Sequence, residues 1–274
     1  MADTTELEAL RYSLDDRVVV VTGSTGVLGR GYCRAFAQRG AKLVVADLAE
    51  RDPLSQAKRL SEETGAQVFG QACDVSSESD VVALFEATMS RFGRVNVVMN
   101  NAAATGEHLL KTGEVFAPFE SYPLAVWDQV LRINLTGVFL VAREGGKAML
   151  ASGGGSLINV SSVYGVVAPD HRIYEGMPFG SFPAYSAGKA GVHGLTLWLS
   201  TYWGRKGIRV NTLVPGGVFN GHSDEFVRRY SDRTPMGRMA NGDDLIGAVI
   251  FLASDASLYC TGQQFVVDGG LTAW

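Results

Sequence analysis

RVVVVTGSTGVLGRGYCRAFA, Arg17 to Ala37, is the stretch on which the fold turns. Val18 to Val21 form a short apolar run of β-branched residues closed by glycine, the pattern of a strand buried on both faces. The glycines Gly23, Gly26 and Gly29 then lead into Tyr32, Cys33, Phe36 and Ala37, apolar positions at helical spacing. A strand, a glycine-rich turn and a helix in that order let the backbone approach a pyrophosphate, whose charge meets the free amides of the helix N-terminus.

Working outward, comparable apolar runs recur at Ala41 to Ala46, Gln67 to Cys73, Val95 to Met99, Ser156 to Val160, Ile208 to Leu213 and Gln264 to Val267. Helical patterns lie between most of them. This alternation predicts an α/β fold, a doubly wound parallel sheet of seven strands with helices on both faces, the Rossmann arrangement. The Gly153-Gly154-Gly155 run falls between a helix and a strand and reads as a tight connection. One domain is therefore expected over residues 15–274, preceded by an arm, residues 1–14, with a weak helical pattern in Leu7, Leu10 and Leu14.

The chain has 274 residues, 46% hydrophobic and 19% charged, with a formal net charge of -4. No basic footprint for nucleic acid or anionic membrane is present, so small-molecule chemistry is favoured. Cys33, Cys73 and Cys260 are scattered, and His108, His171, His193 and His222 show no metal-ligand spacing, so neither a disulfide framework nor a metal is expected. The acidic N-terminus lacks the pattern of a signal peptide, and no stretch reads as about 18 consecutive apolar residues. A cytoplasmic location is the expectation.

Asp47 ends the second strand near the roughly 20-residue offset at which a carboxylate accepts from the adenosine ribose. A 2′-phosphate there would meet like charge, and neither Leu48 nor the glycine loop supplies an Arg or Lys, so NAD is expected over NADP. Asp74 closes the third strand and suits an adenine amino group, whereas Asn100 divides evenly between tying strands together and supporting the cofactor. Tyr185 and Lys189 stand i, i+4 on one helix, where an ammonium could bring the phenol's pKa toward the working range. Trp198, Tyr202 and Trp203 later in that helix are read as core or subunit interface, and His193 as structural.

Taken together, TGSTGVLG, NNAA, Asn134, NVSS, YSAGK, RVNTLVPGG and TGQQFVVDGG run in the order found in the short-chain dehydrogenase/reductase family, which the chain resembles from Arg17 to Trp274. The resemblance implies a catalytic tetrad of Asn134, Ser162, Tyr185 and Lys189. Tyr185 is the expected acid/base, Ser162 the holder of the substrate oxygen, and Asn134 the holder of a water that relays protons from Lys189. The cofactor set it implies is Gly23, Thr25, Gly26, Val27, Leu28, Gly29, Asp47, Asp74, Val75, Asn101, Ala102, Ala103, Tyr185, Lys189, Pro215, Gly216 and Val218. Two features depart from the commonest pattern: the glycines run TGxxGxxG, and Asn220 stands where many members place a threonine.

Between Ser162 and Tyr185, the segment Val163 to Ala184 is longer than the family usually has and must loop over the catalytic mouth. It offers Asp170, His171, Arg172, Tyr174 and Glu175, and with the ending DGGLTAW it resembles members associated with sugar or nucleotide-sugar modification. His171, Arg172 and Tyr174, with Ser162, are the expected substrate contacts. The expected function is thus hydride exchange between NAD and a secondary alcohol or ketone, with a hydrophilic sugar-type substrate. Three alternatives stand beside it: a 3-oxoacyl or steroid ketone reductase, a non-catalytic dinucleotide sensor or scaffold, and an epimerase or dehydratase. A homotetramer or dimer is expected on the helices carrying Asn134 and Tyr185, both apolar over more than one face.

Overall fold

The computed structural model describes residues 11–109 and 115–274, apart from the side chains of Glu107 and His108. Seven strands form one parallel sheet in the order β3-β2-β1-β4-β5-β6-β7. They are β1 (Val18–Thr22), β2 (Lys42–Asp47), β3 (Val68–Ala72), β4 (Val97–Asn100), β5 (Gly155–Val160), β6 (Ile208–Pro215) and β7 (Gln264–Val267). Each differs from its expected span by at most two residues at an end, the usual uncertainty of strand ends read from pattern. The order reverses between β1 and β4, and it is outside the carboxyl ends of strands at such a switch point that ligands bind in open α/β sheets.

Strand β1 shows why a continuous apolar run was needed. Val19 and Val21 enter one core cluster with Tyr32, Cys33 and Phe36, whereas Val20 enters another with Leu84, Phe85 and Trp203. Successive side chains of a strand point to opposite faces, so a strand covered by helices on both sides must be apolar at every position. Helices α1 (Val27–Ala37) and α8 (Ile246–Ala253) cover the first face. The second carries α3 (Glu78–Phe92), α5 (Val138–Ala151) and α6 (Pro183–Trp203), while α2 (Pro53–Thr64) flanks β2 and β3. The short α7 (Asp224–Asp232) belongs to a separate aromatic cluster beside the sheet's carboxyl edge.

Helix α4 (Leu124–Leu131) runs on into α5 through a single π turn, Arg132–Gly137, at whose centre Asn134 is fully buried. The helical span Leu124–Ala151 is 28 residues long and apolar enough to match a bilayer, more than the chain's runs of apolar residues led one to expect. Here it packs against the sheet through Val141 and Met149 and against α6 through Trp203. Leu14, placed in the arm by its sequence pattern, is buried in the core, so the fold begins before residue 15; Leu7 and Leu10 lie outside the described residues.

Candidate active site

The glycine turn is shaped by close backbone approach. Gly23 adopts φ +64°, and a Cβ on it would stand 2.8 Å from Ala102 Cα. A Cβ on Gly29 would stand 2.1 Å from the Gly23 carbonyl oxygen, so only glycine lets α1 start this close to the turn. Gly26 caps α1 without a side-chain hydrogen bond, leaving first-turn amides, those of Val27 and Leu28 among them, without a side-chain acceptor. The neighbours brace this cradle. Asn101 Nδ2 donates to the carbonyls of Thr22 and Gly23, and Ser24 exchanges two hydrogen bonds with Gln56. A turn packed tightly by Gly23 and Gly29, with Gly26 exposed and first-turn amides left without a side-chain acceptor, fits a dinucleotide pyrophosphate.

At the adenosine end, Asp47 Oδ2 accepts from the Thr25 amide at 2.9 Å and the Thr25 hydroxyl at 2.7 Å, and Oδ1 accepts from the Leu48 amide. Acceptor capacity remains on this carboxylate for ribose hydroxyls. Arg30, one residue past the glycine loop, folds back and donates from Nε to the Thr25 carbonyl at 2.7 Å. A guanidinium therefore does stand at this corner, which counting only the loop residues and Leu48 had missed; an arginine on the first exposed turn of the helix was the available signal. Asp74 caps its own turn, accepting from the Ser76 amide and hydroxyl. Val75 is buried against Gly137. Asn100 falls on the structural side: its Nδ2 donates to the Val138 carbonyl and to Asn159 Oδ1. Past Pro215, at the end of β6, Gly216 packs on Asp268, and Val218 bridges to Ala240.

Serine, tyrosine and lysine converge at the ends of β5 and α6. Ser162 begins the 3₁₀ turn Val163–Gly165, its Oγ accepting from the Tyr164 amide at 3.2 Å, and its hydroxyl lies near enough to Tyr185 to favour the phenolate. Lys189 is 2% exposed, donates from Nζ to the Val160 carbonyl at 2.9 Å, and lies 5.8 Å from the Tyr185 ring centroid. Burial depresses the lysine to about 8. Burial also raises the Tyr185 phenol above its ordinary value, with the Ser162 hydrogen bond pulling the other way. Desolvation of the anion is the larger of these two influences on the phenol.

Asn134 Oδ1 accepts from the Ala104 amide at 2.7 Å, and its Nδ2 donates to the Ala104 carbonyl at 3.0 Å. The side chain thereby fastens the π turn to the loop after β4. Behind Lys189, Ser161 Oγ bonds to the Lys189 carbonyl and to His193 Nε2, which makes His193 a brace between β5 and α6. Trp203 is core, with Gly146 beneath its ring, whereas Trp198 and Tyr202 stack on each other at the surface.

The long segment separates into two kinds of residue. Tyr174 turns inward and meets the Tyr164 hydroxyl at 2.7 Å. Arg172 turns outward: its side chain is 75% exposed and forks onto Asp170 at 2.8 and 2.7 Å. His171 is exposed as well. The structure therefore does not bring His171 and Arg172 to the tetrad, because an acid two residues before the arginine satisfies it locally. Tyr164 was not among the expected contacts, although its position two residues after Ser162 was the clue.

A family model described as enoyl-(acyl carrier protein) reductase matches residues 24–272. The chain belongs to the short-chain dehydrogenase/reductase family. Among relatives, D-threitol dehydrogenase of Mycolicibacterium smegmatis is 34% identical over 269 residues, covering 95% of each chain. The 3beta-hydroxysteroid dehydrogenase 1 of Eggerthella lenta is likewise 34% identical over 268 residues, again covering 95% of each. Among solved structures, a gluconate 5-dehydrogenase from Burkholderia cenocepacia in complex with NADP and tartrate superposes with a TM-score of 0.85 at 32% identity, covering 97% of this chain and 99% of that one. Membership makes the protein an oxidoreductase that uses a nicotinamide dinucleotide.

Proposed function

We propose that this chain interconverts a secondary alcohol and a ketone on a hydrophilic, polyhydroxylated substrate, with NAD as its dinucleotide and Tyr185 as the acid/base. The observation that carries the chemistry is the convergence of Ser162, Tyr185 and Lys189 where the end of β5 meets the start of α6, with Lys189 buried. When bound, the dinucleotide would supply the hydride acceptor or donor. Gly23, Thr25, Gly26, Val27, Leu28 and Gly29 would hold its pyrophosphate side, Asp47 and Asp74 its adenosine end, Val75, Asn101, Ala102 and Ala103 its middle, and Pro215, Gly216 and Val218, with Tyr185 and Lys189, its nicotinamide end.

Ser162 donates to or accepts from the substrate oxygen and holds it beside the Tyr185 hydroxyl, so that the proton moves over one hydrogen-bond length. Lys189 supplies positive charge beneath the tyrosine. With the Asn134 side chain committed to Ala104, the water assigned to it would be held at the main chain of the π turn. A charged, already buried Lys189 stabilises the phenolate more strongly than an exposed one would, because the low dielectric that depresses its own pKa also strengthens its field.

For NAD, the support is Asp47 at the end of β2, whose charge opposes a 2′-phosphate. Arg30 draws the other way, and the NADP in the gluconate 5-dehydrogenase structure marks what this fold can also accommodate. For the substrate, support comes from the threitol-oxidising relative and the tartrate-bound neighbour. The second reading, a steroid or 3-oxoacyl ketone reductase, is favoured by the equally similar hydroxysteroid relative and by the family model's description. A homotetramer or dimer built on α4 to α6 is supported by the exposed Leu124, Phe139, Leu197 and Trp198; a monomer by light scattering at micromolar concentration would refute it.

Tyr185→Phe tests the chemistry. It should lower kcat by about 10²–10⁴-fold while NADH still binds by fluorescence titration, because only the transferable proton is removed. More than a tenth of wild-type kcat would take Tyr185 out of its role. A screen of polyols, hydroxysteroids and 3-oxoacyl esters, followed by nicotinamide absorbance, decides the substrate class.

A further inference from the structure

We propose that Tyr164 and Tyr174 act as one hydroxyl pair that binds a second hydroxyl of the substrate, near the carbon on which Tyr185 acts. The proposal rests on the polyhydroxylated-substrate reading and deepens it. Tyr164 projects from the 3₁₀ turn that Ser162 begins, with its amide donating to Ser162 Oγ at 3.2 Å. That turn is wedged against the catalytic helix: a Cβ on Gly165 would stand 2.7 Å from the Lys189 carbonyl carbon and 2.8 Å from Ser161 Oγ. Its position relative to Ser162 and Lys189 is therefore fixed by backbone contact.

Tyr174 reaches the same place from the long segment. Its ring packs edge-on against Phe179 at 6.2 Å and tilted against Phe226 of α7 at 5.6 Å, and its hydroxyl meets that of Tyr164 at 2.7 Å. Both phenols interact electrostatically with Tyr185, as does Tyr230, so the pair shares the surroundings of the proton-transferring residue. Burial pushes Tyr174 up to about 12 and Tyr164 further still, so both remain neutral at working pH.

The chemistry of two neutral hydroxyls decides what they can recognise. Two O–H groups carry two hydrogens, and the bond between them uses one. Whichever phenol donates, the other keeps its hydrogen, and lone pairs remain on both. The pair thus presents one donor and neighbouring acceptors with no net charge, the complement of an alcohol and a poor match for a carboxylate. The one guanidinium in the segment does not offer charge here, because Arg172 faces outward on Asp170. A flat steroid or an acyl chain covering this half-buried pair would leave its spare donor without a partner, a penalty that turns polar recognition into discrimination.

Tyr164→Phe, Tyr174→Phe and the double variant, each checked for NADH binding and thermal melting, test the proposal with threitol and 2-butanol as a matched pair of substrates. Either single variant should lower the ratio of kcat/KM for threitol over 2-butanol by ~10-fold, chiefly through KM for threitol. The double variant should lower it little further, since one unit has been removed. An unchanged ratio in both single variants overturns the proposal, as do losses that add in the double. Wild-type protein that turns over threitol while the variants keep its ratio overturns the pair alone; wild-type protein inactive on polyols but active on steroid or acyl ketones overturns the substrate reading as well.

Discussion

The two edges of this site are built by opposite means. At the dinucleotide edge, geometry is imposed by backbone: glycines occupy positions where a Cβ would lie within 3 Å of another main chain, and an asparagine hydrogen-bonds the turn itself. At the other edge, the segment between Ser162 and Tyr185 is held by side chains from far along the sequence. Arg229 of α7 donates to the carbonyls of Arg172, Ile173 and Glu175, and Arg233 reaches Asp170. Backbone-imposed shape allows little variation without loss of the fold. Side-chain stitching can be re-cut one residue at a time, which is how a common fold comes to serve different substrates.

The largest effect should come from attacking the backbone-built edge. Gly29→Ala forces a methyl group into the Gly23 carbonyl, where neither the turn nor α1 has room to shift. A loss on the order of 3–5 kcal/mol is expected, with dinucleotide binding lost before the fold melts. Thermal melting with and without NADH checks it. A variant with wild-type melting and affinity would show that this edge is not backbone-limited.

A smaller and more local effect is expected at the other edge. Hydrogen bonds from Arg172 hold the Asp170 carboxyl at about 2, below its ordinary 3.8. Its folded-state pKa is depressed, so its stabilisation is present above about 3.8 and is lost as pH falls from there toward about 2. Asp170→Asn should speed hydrogen exchange in the segment by roughly 3–10-fold at neutral pH and leave the amides of β1 and α1 untouched. If exchange rises equally at both edges, the two are one cooperative unit and the contrast fails.

A third effect concerns cofactor choice, where one side-chain feature sits on the backbone-built edge. Asp47→Ala should narrow the NAD over NADP preference in kcat/KM by roughly 5–50-fold, and adding Arg30→Ala should restore part of it, because the guanidinium then no longer greets a 2′-phosphate. An unaltered preference in Asp47→Ala, or a native preference for NADP, would move the determinant elsewhere.

The same contrast explains what the sequence made legible. Seven strands, their order of appearance and the glycine turn could be read because valine runs and obligatory glycines are local signals with a direct physical cause. The Tyr185 and Lys189 pair could be read because its types and i, i+4 spacing follow from the chemistry, whereas Ser162 came only through the family resemblance. What could not be read was direction. The outward turn of Arg172 has a local cause in Asp170, but nothing local says that Tyr174 turns in to Tyr164, since its ring seats on Phe226 of α7, about fifty residues further on. Nor does local pattern reveal that Arg30 bends back over Thr25, or that burial raises the Tyr185 phenol. Desolvation is a property of the whole fold, not of a spacing.

The π turn at Arg132–Gly137 has a consequence for the helix that follows it. One residue more per turn advances the angular phase of everything downstream by about 100° relative to an unbroken α-helix. Downstream stand Gly145, whose missing side chain admits Phe85 and Val98, and Gly146, whose missing side chain admits the ring of Trp203. Removing one residue from the turn would rotate both notches away from the rings that fill them and present bulky neighbours instead. The turn that ties Asn134 to Ala104 thus also sets the clock position of α5, so that the anchoring of the loop after β4 and the seating of Trp203 are inherited together or lost together.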